Sequence, residues 1–476
     1  MPLPKPGSNT LSGNSFLIFI TRFFPSLATL LVLIGYSRHL PQNVYGDYQR
    51  FWIQLNVMYP LACFGLHVVI ITYSPAFVRK LLKQIKPGWI VIYSVWTIAI
   101  SAVFGSMQDH MLRIGYVVPF LFMLCYSLSI ILEAYLIVCR NYTTLIISNL
   151  LYGVAFCFVH WYILSHGFYL PQLFTYLFAI VALRLLIYAI SAVTGNKNNI
   201  GIADDREFSS VTSLWLHLGF YDVTQSLFSW IDKFVVSLVL TASLSAIYFN
   251  GSQNIPFLPI LLSAAGSAVL MQLVGARRED ETANTVLLMK QSGRLLSCVV
   301  FPLFFYLLFY RNELIITLLT VKYVAAIPVF AVSILVLPLK AYSFTTVLQR
   351  LHKGSIINAG SVADLVLACG LMYPLYCWLG LPGIALSFVI STYLQAAFYL
   401  FYTAGLLGVN FFSLLPVANW LIKLIVFAAL FIGIRYVGNT CFNAQISLIL
   451  GSVMMIVTIA VTLFWEIVKQ RNYGRS

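Results

Sequence analysis

The chain has 476 residues, of which 61% are hydrophobic and 9% charged, with a net charge of +14. A soluble protein carries roughly 25% charged residues, so no sizeable water-soluble domain is left over, and soluble enzyme classes are excluded. No Lys/Arg run, zinc pattern or aromatic ribonucleoprotein motif stands behind the positive excess; it speaks for membrane topology and against a nucleic-acid partner.

In chain order, apolar runs each about 20 residues long, the length that crosses a hydrocarbon core as a helix, follow one another almost without pause. They cover 13–36, 48–73, 89–107, 114–138, 144–165 and 172–193. After a polar connection at 194–210 come 211–240, 247–274, 295–310, 326–348, 355–378 and 384–403, and finally 417–436 and 445–465. The runs do not alternate polar and apolar residues as barrel strands would, so an all-α polytopic membrane protein of about 14 transmembrane helices is predicted. The first run is too long for a signal-peptide core and reads as a retained helix.

Basic residues set the orientation. With the N-terminus in the cytoplasm, that side receives most Lys and Arg residues, among them Arg79, Lys80, Lys83, Lys86, Arg277, Arg278 and Lys469. The other side receives only Arg38, Arg50, Arg113, Arg311, Lys322 and Arg435. The positive-inside rule therefore places both termini in the cytoplasm. The eight cysteines lie mostly in or beside apolar runs without a C-x-x-C pair and read as small buried residues. No metal-ligand spacing joins the seven histidines, and no phosphate-binding loop points to ATP hydrolysis; no catalytic residue, metal or cofactor is expected.

The stretch 40–48, LPQNVYGDY, aligns with 240–248, LTASLSAIY, at an offset of 200 residues. Both occupy the first outward loop of a six-helix block. Two blocks in the same orientation would be related by an axis along the membrane normal, a known transporter design. The expected division is an N-terminal six-helix lobe at 1–200, a C-terminal six-helix lobe at 201–405, and two added helices with a cytoplasmic tail at 406–476.

Four local patterns carry a family resemblance: the loop 40–48, WIDKF at 230–234 followed by SAIY at 245–248, KYVAAIP at 322–328, and GLPGIALS at 380–387. In order and spacing they resemble the multidrug, oligosaccharidyl-lipid and polysaccharide (MOP) exporter superfamily, specifically its bacterial polysaccharide-flippase, Wzx-like branch. The resemblance implies a MATE-like fold of two six-helix lobes plus two C-terminal helices in the bacterial inner membrane. It also implies a non-enzymatic function, moving a polyprenyl-pyrophosphate-linked oligosaccharide across the cytoplasmic membrane by alternating access for O-antigen, capsule or exopolysaccharide synthesis. Implied partners are that lipid-linked substrate, membrane lipids, a coupling ion (H+ or Na+), a polysaccharide polymerase and glycosyltransferases. Two alternatives stand beside it, a multidrug or small-metabolite exporter of the same superfamily and a flippase of the cell-wall lipid precursor.

A charge within the bilayer costs from a few to more than ten kcal/mol, so such residues face a protein interior or a water-filled cavity. Arg22, Arg184 and Lys340 are the candidate substrate-binding cations of a central cavity, because guanidinium and ammonium groups suit a pyrophosphate. Asp222, Asp364, Asp232 and Lys233 are candidate charge partners or ion-coupling groups. Depth counting pairs Lys340 with Asp364 and sets Arg22 level with Asp222. Fixed ion pairs that merely lock helices together are the competing reading, favoured for Lys340 with Asp364, while Asp232 with Lys233 reads as an interfacial local pair. Glu133 and Lys423 are expected to snorkel at cytoplasmic ends. Among the histidines His217 is singled out, because it precedes Asp222 by about one and a half helical turns.

Overall fold

The computed structural model describes residues 8–72, 78, 80, 85–194, 208–252, 281–351 and 353–473. Among them the chain is helical, with no strand, and it packs into two units, Met1–Ser245 and Ala246–Ser476. Only a helix pairs every backbone group within its own segment, which lipid requires. The predicted linker 194–210 lies largely outside the described residues, as do the eighth span beyond 252, the side chain of Arg22, His352, and the basic positions Arg79, Lys83, Arg277 and Arg278.

The first unit contains α1 (Ser8–His39), α2 (Gln42–Cys63), α3 (Leu66–Thr72), α4 (Pro87–Leu112), α5 (Val117–Val138), α6 (Tyr142–Ser165), α7 (Leu170–Thr194) and α8 (Phe208–Val239). Its core forms where α2, α4, α5 and α7 meet. Phe51 is fully buried there, stacked on Phe174 with ring centroids 3.8 Å apart and edge-on to Phe104 and Phe122. Tyr36, Tyr48 and His160 fasten α1, α2 and α6 together. His160 accepts from the Tyr48 hydroxyl at 3.0 Å and donates to Phe156 O at 2.7 Å, a packed neutral imidazole. α8, which the internal repeat sets at the head of the second lobe, packs along α2 and α3.

α9 (Ala242–Gly251) carries the chain into the second unit, which holds α10 (Glu281–Phe309), α11 (Arg311–Leu319), α12 (Ile327–Ser333), α13 (Thr346–Arg350), α14 (Gly354–Leu379), α15 (Leu381–Leu407), α16 (Val417–Cys441) and α17 (Ala444–Tyr473). Short 3-10 turns at Val321–Ala326, Ile334–Ala341 and Phe411–Leu414 interrupt it. α14 and α15 form a tight hairpin. Gly383 fits it because a Cβ there would fall 2.0 Å from Leu375 O.

Ten helices among the described residues are long and apolar enough to cross a bilayer. α1 and α8, at 32 residues each, are also long enough to span, and α2 with α3 covers the predicted second span. The all-α, roughly fourteen-helix prediction therefore holds, and the protein is a multi-pass membrane protein. α10 is central to its unit, with 67% of its apolar window buried, against 11% for α16 and 17% for α17, whose side chains mostly face outward to lipid.

One expectation is corrected here. Lys423 does not snorkel: its ammonium lies 3.4 Å from Glu466 Oε2 and donates to Arg294 O at 2.7 Å and Ser297 Oγ at 3.0 Å. It binds α16 to both α17 and α10, because polar hydrogen bonds hold helices together where lipid supplies no hydrophobic drive. About 18 Å along α16, Arg435 makes a second pair with Glu313 of α11 at 2.5 Å.

Candidate functional site

The second span is broken. α2 ends at Cys63, Phe64 and Gly65 adopt left-handed backbone (φ 39° and 67°), and the chain resumes as α3. A break inside a membrane strands carbonyl groups, and each must find a donor. Here neighbouring side chains supply them. Trp96 Nε1 donates to Leu61 O at 2.8 Å, the Thr97 hydroxyl to Ala62 O at 3.2 Å, and the Tyr93 hydroxyl to Cys63 O at 3.2 Å, all from α4. From α8, Trp215 Nε1 donates to Phe64 O at 2.8 Å. Discontinuous spanning helices of this kind build ion and substrate sites in transporters.

Asp222 of α8 lies beside this break. Its Oδ2 is 3.8 Å from Nε2 of His67, on the first turn of α3. The histidine that meets Asp222 is therefore His67 and not His217, and among the described residues no cation other than His67 lies within ion-pair distance of Asp222. Further along α8, Lys233 pairs with Asp232 at 3.2 Å, each only 6% exposed, with the ammonium 5.8 Å above the Trp230 ring. That pair sits within packed protein.

Arg184 of α7 is closely held. Its Nη2 lies 2.7 Å from Glu133 Oε2 of α5, and its Nε donates to the Tyr188 hydroxyl at 3.1 Å. The guanidinium also stacks on Tyr152 and Tyr188, 4.9 and 5.1 Å from their ring centroids. Tyr188 in turn donates to Asn149 Oδ1 at 2.9 Å, and Asn149 donates to Thr21 O at 2.8 Å. The network joins α1, α5, α6 and α7. Glu133, expected to snorkel, is its acidic member, and with its Arg184 partner only 11% exposed the pair has left water.

In the second unit Lys340 lies on the 3-10 turn Ile334–Ala341, after Pro338, where the tenth span departs from α-geometry. Of the two predicted cations whose side chains are described, Arg184 and Lys340, it is the exposed one. Asp364 of α14 is 2% exposed, and neither carboxylate oxygen has a hydrogen-bond partner within normal distance. The two charges act on each other without direct contact, and the Ser391 hydroxyl of α15 also acts on the carboxylate. Lys340 and Asp364, expected at similar depth, thus lie in one neighbourhood. Glu133 and His67 were not expected as partners, although the Phe64-Gly65 step after Pro60 is a legible break signal.

Among known structures, the chain is similar to the lipid II flippase MurJ in an inward closed conformation. The match has a TM-score of 0.59 at 13% identity, over 94% of this chain and 98% of MurJ. It is also similar to an inward-facing multidrug resistance MATE transporter of the MOP superfamily, with a TM-score of 0.55 at 15% identity over 87% of this chain and 98% of that one. The chain shares the fold of these two proteins, as the expected MATE-like arrangement requires. The resemblance drawn from the loop and helix motifs holds at the level of the fold. The sequence model described as "Polysaccharide biosynthesis protein" matches residues 202–328, which take in WIDKF, SAIY and KYVAAIP. No curated protein matches the chain in sequence.

Proposed function

We propose that the chain is a flippase that moves a polyprenyl-pyrophosphate-linked oligosaccharide across the bacterial cytoplasmic membrane for surface polysaccharide synthesis. The observation that carries this reading is the coincidence, on one chain, of a fold shared with a lipid flippase and a segment matching a polysaccharide biosynthesis family. Lys340 supports it as an accessible intramembrane cation suited to a phosphate. Arg22 and Arg184 complete the proposed cationic set, with Arg184 acting from within its Glu133 pair. Asp364 balances the Lys340 charge between cargo molecules, and Asp232 with Lys233 fixes the outward end of α8.

The lobes at 1–200 and 201–405 rock about the cargo in alternating access, with 406–476 added to the second lobe and both termini in the cytoplasm. The protein performs no covalent chemistry. Glycosyltransferases supply its cargo and a polymerase consumes it. Movement is driven by H+ or Na+.

Removing the protein from its host should cause a lipid-linked oligosaccharide to build up on the cytoplasmic leaflet, read by mass spectrometry of extracted lipids with and without a membrane-impermeant glycosidase. Build-up of the cell-wall precursor lipid II would instead support the second reading, which the MurJ likeness favours. Loss of drug efflux with unchanged lipid-linked sugars would overturn both.

A further inference from the structure

We infer that Arg435, Glu313 and Tyr310 together bind a single water molecule where α10, α11, α16 and α17 meet, and that this water is a built-in part of the joint. The site stands on the second unit's own geometry and does not depend on what the protein carries.

The Arg435–Glu313 ion pair is incomplete. A guanidinium and a carboxylate can meet through two parallel hydrogen bonds. Here one forms, from Arg435 Nη2 to Glu313 Oε1 at 2.5 Å. Arg435 Nη1 and Glu313 Oε2 are both buried without a hydrogen-bond partner, and so is the hydroxyl of the fully buried Tyr310. The three residues share one neighbourhood. The guanidinium carbon lies 4.9 Å from the centre of the Tyr310 ring, and the arginine holds the glutamate directly.

Buried polar groups are nearly always paired, so three unpaired ones side by side point to a ligand. They present a charged donor, a charged acceptor and a hydroxyl that can play either part. A water molecule meets all three at once. It accepts from Arg435 Nη1, donates to Glu313 Oε2 and bonds the Tyr310 hydroxyl, and three bonds are the usual number for a buried water. Charge disfavours an ion, because the pair is neutral overall: an anion would meet the Glu313 carboxylate and a cation the Arg435 guanidinium. Size disfavours a larger guest. The α17 backbone closes in on the phenol, since a Cβ on Gly451 would fall 2.6 Å from Tyr310 Cζ and 3.0 Å from its hydroxyl oxygen.

Tyr310 is the one residue between α10 and α11, so the water ties that turn to α16. One turn earlier, the Tyr306 hydroxyl bonds Ser452 Oγ of α17 at 2.6 Å. The two contacts hold four helix segments in one polar joint, the kind of link that holds helices together in lipid.

The test uses the purified full chain in lipid nanodiscs. Hydroxyl radicals made by a brief X-ray pulse oxidise a buried side chain where a water is bound beside it. Tyr310 should be oxidised, whereas Tyr36, equally sealed but with its hydroxyl bonded to His160 O, should not. After millisecond mixing into water enriched in oxygen-18, the oxygen added to Tyr310 should still be oxygen-16, carried by the bound molecule. A Tyr310 as unreactive as Tyr36 overturns the inference, and oxygen-18 arriving as fast as at exposed tyrosines overturns it in favour of an open crevice. A high-resolution cryo-EM map should show density within hydrogen-bonding reach of all three atoms. Arg435 Nη1 bonded directly to Glu313 Oε2, with no such density, would show that the pair completes itself.

Discussion

Gly65 and Gly219 meet backbone against backbone: a Cβ on Gly65 would fall 2.5 Å from the Gly219 Cα, and one on Gly219 would fall 2.6 Å from Phe64 O. The contact lets α8 lie against the broken end of α2, one turn before Asp222 reaches His67. Gly219→Ala should force the helices apart and cost about 1–3 kcal/mol, the usual range for overpacking. The expected readout is a lower thermal midpoint in detergent. An unchanged midpoint would mean that the seam has slack.

Arg184 and Glu133 give a sharper test, because removing either alone takes the ion-pair partner from a buried charge. Arg184→Met or Glu133→Leu singly should lower stability by about 3–5 kcal/mol, whereas the double replacement should recover most of it. The double-mutant cycle is read from membrane abundance and thermal unfolding. Transport separates the two roles of Arg184. A double variant that is abundant but inactive places the guanidinium in cargo handling, and one that is abundant and active makes the pair a structural lock.

What the sequence made legible follows from distance along the chain. A spanning helix is a local object, decided by about 20 consecutive residues, and so the spans were readable. An intramembrane charge is equally local, which is why Arg184, Lys340, Asp222 and Asp364 stood out. Partners are not local. Glu133 lies 51 residues before Arg184, and depth counted from an assumed membrane boundary put it at the surface instead of inside. Lys423 failed for the same reason, since its partners come from α10 and α17. The break after Cys63 was passed over because the apolar run continues through it to residue 73, and only the Phe64-Gly65 step after Pro60 marks it.

The Lys423–Glu466 pair predicts how the C-terminal helices are held. Little of α16 or α17 is buried, so a few polar links carry much of their attachment to α10. Lys423→Met leaves Glu466, 4% exposed, without its cation, and hydrogen exchange should quicken across α16 and α17 while α14 and α15 stay protected. Equal protection throughout would show that packing alone is enough.

Lys340 is the position at which cargo binding and structure separate most cleanly. Unlike Arg184, it is exposed, and no hydrogen bond or ion pair within contact distance ties it to another helix. Lys340→Ala should therefore leave abundance and thermal midpoint close to wild type. If the ammonium receives a phosphate, its loss removes a hydrogen bond to a charged group, worth about 1.5–3 kcal/mol, and transport should fall about tenfold to a hundredfold. Lys340→Arg keeps the charge in a bulkier, planar form and should retain part of the rate. The reverse pattern, lost stability with transport per molecule intact, would make Lys340 a partner of Asp364 rather than of the cargo.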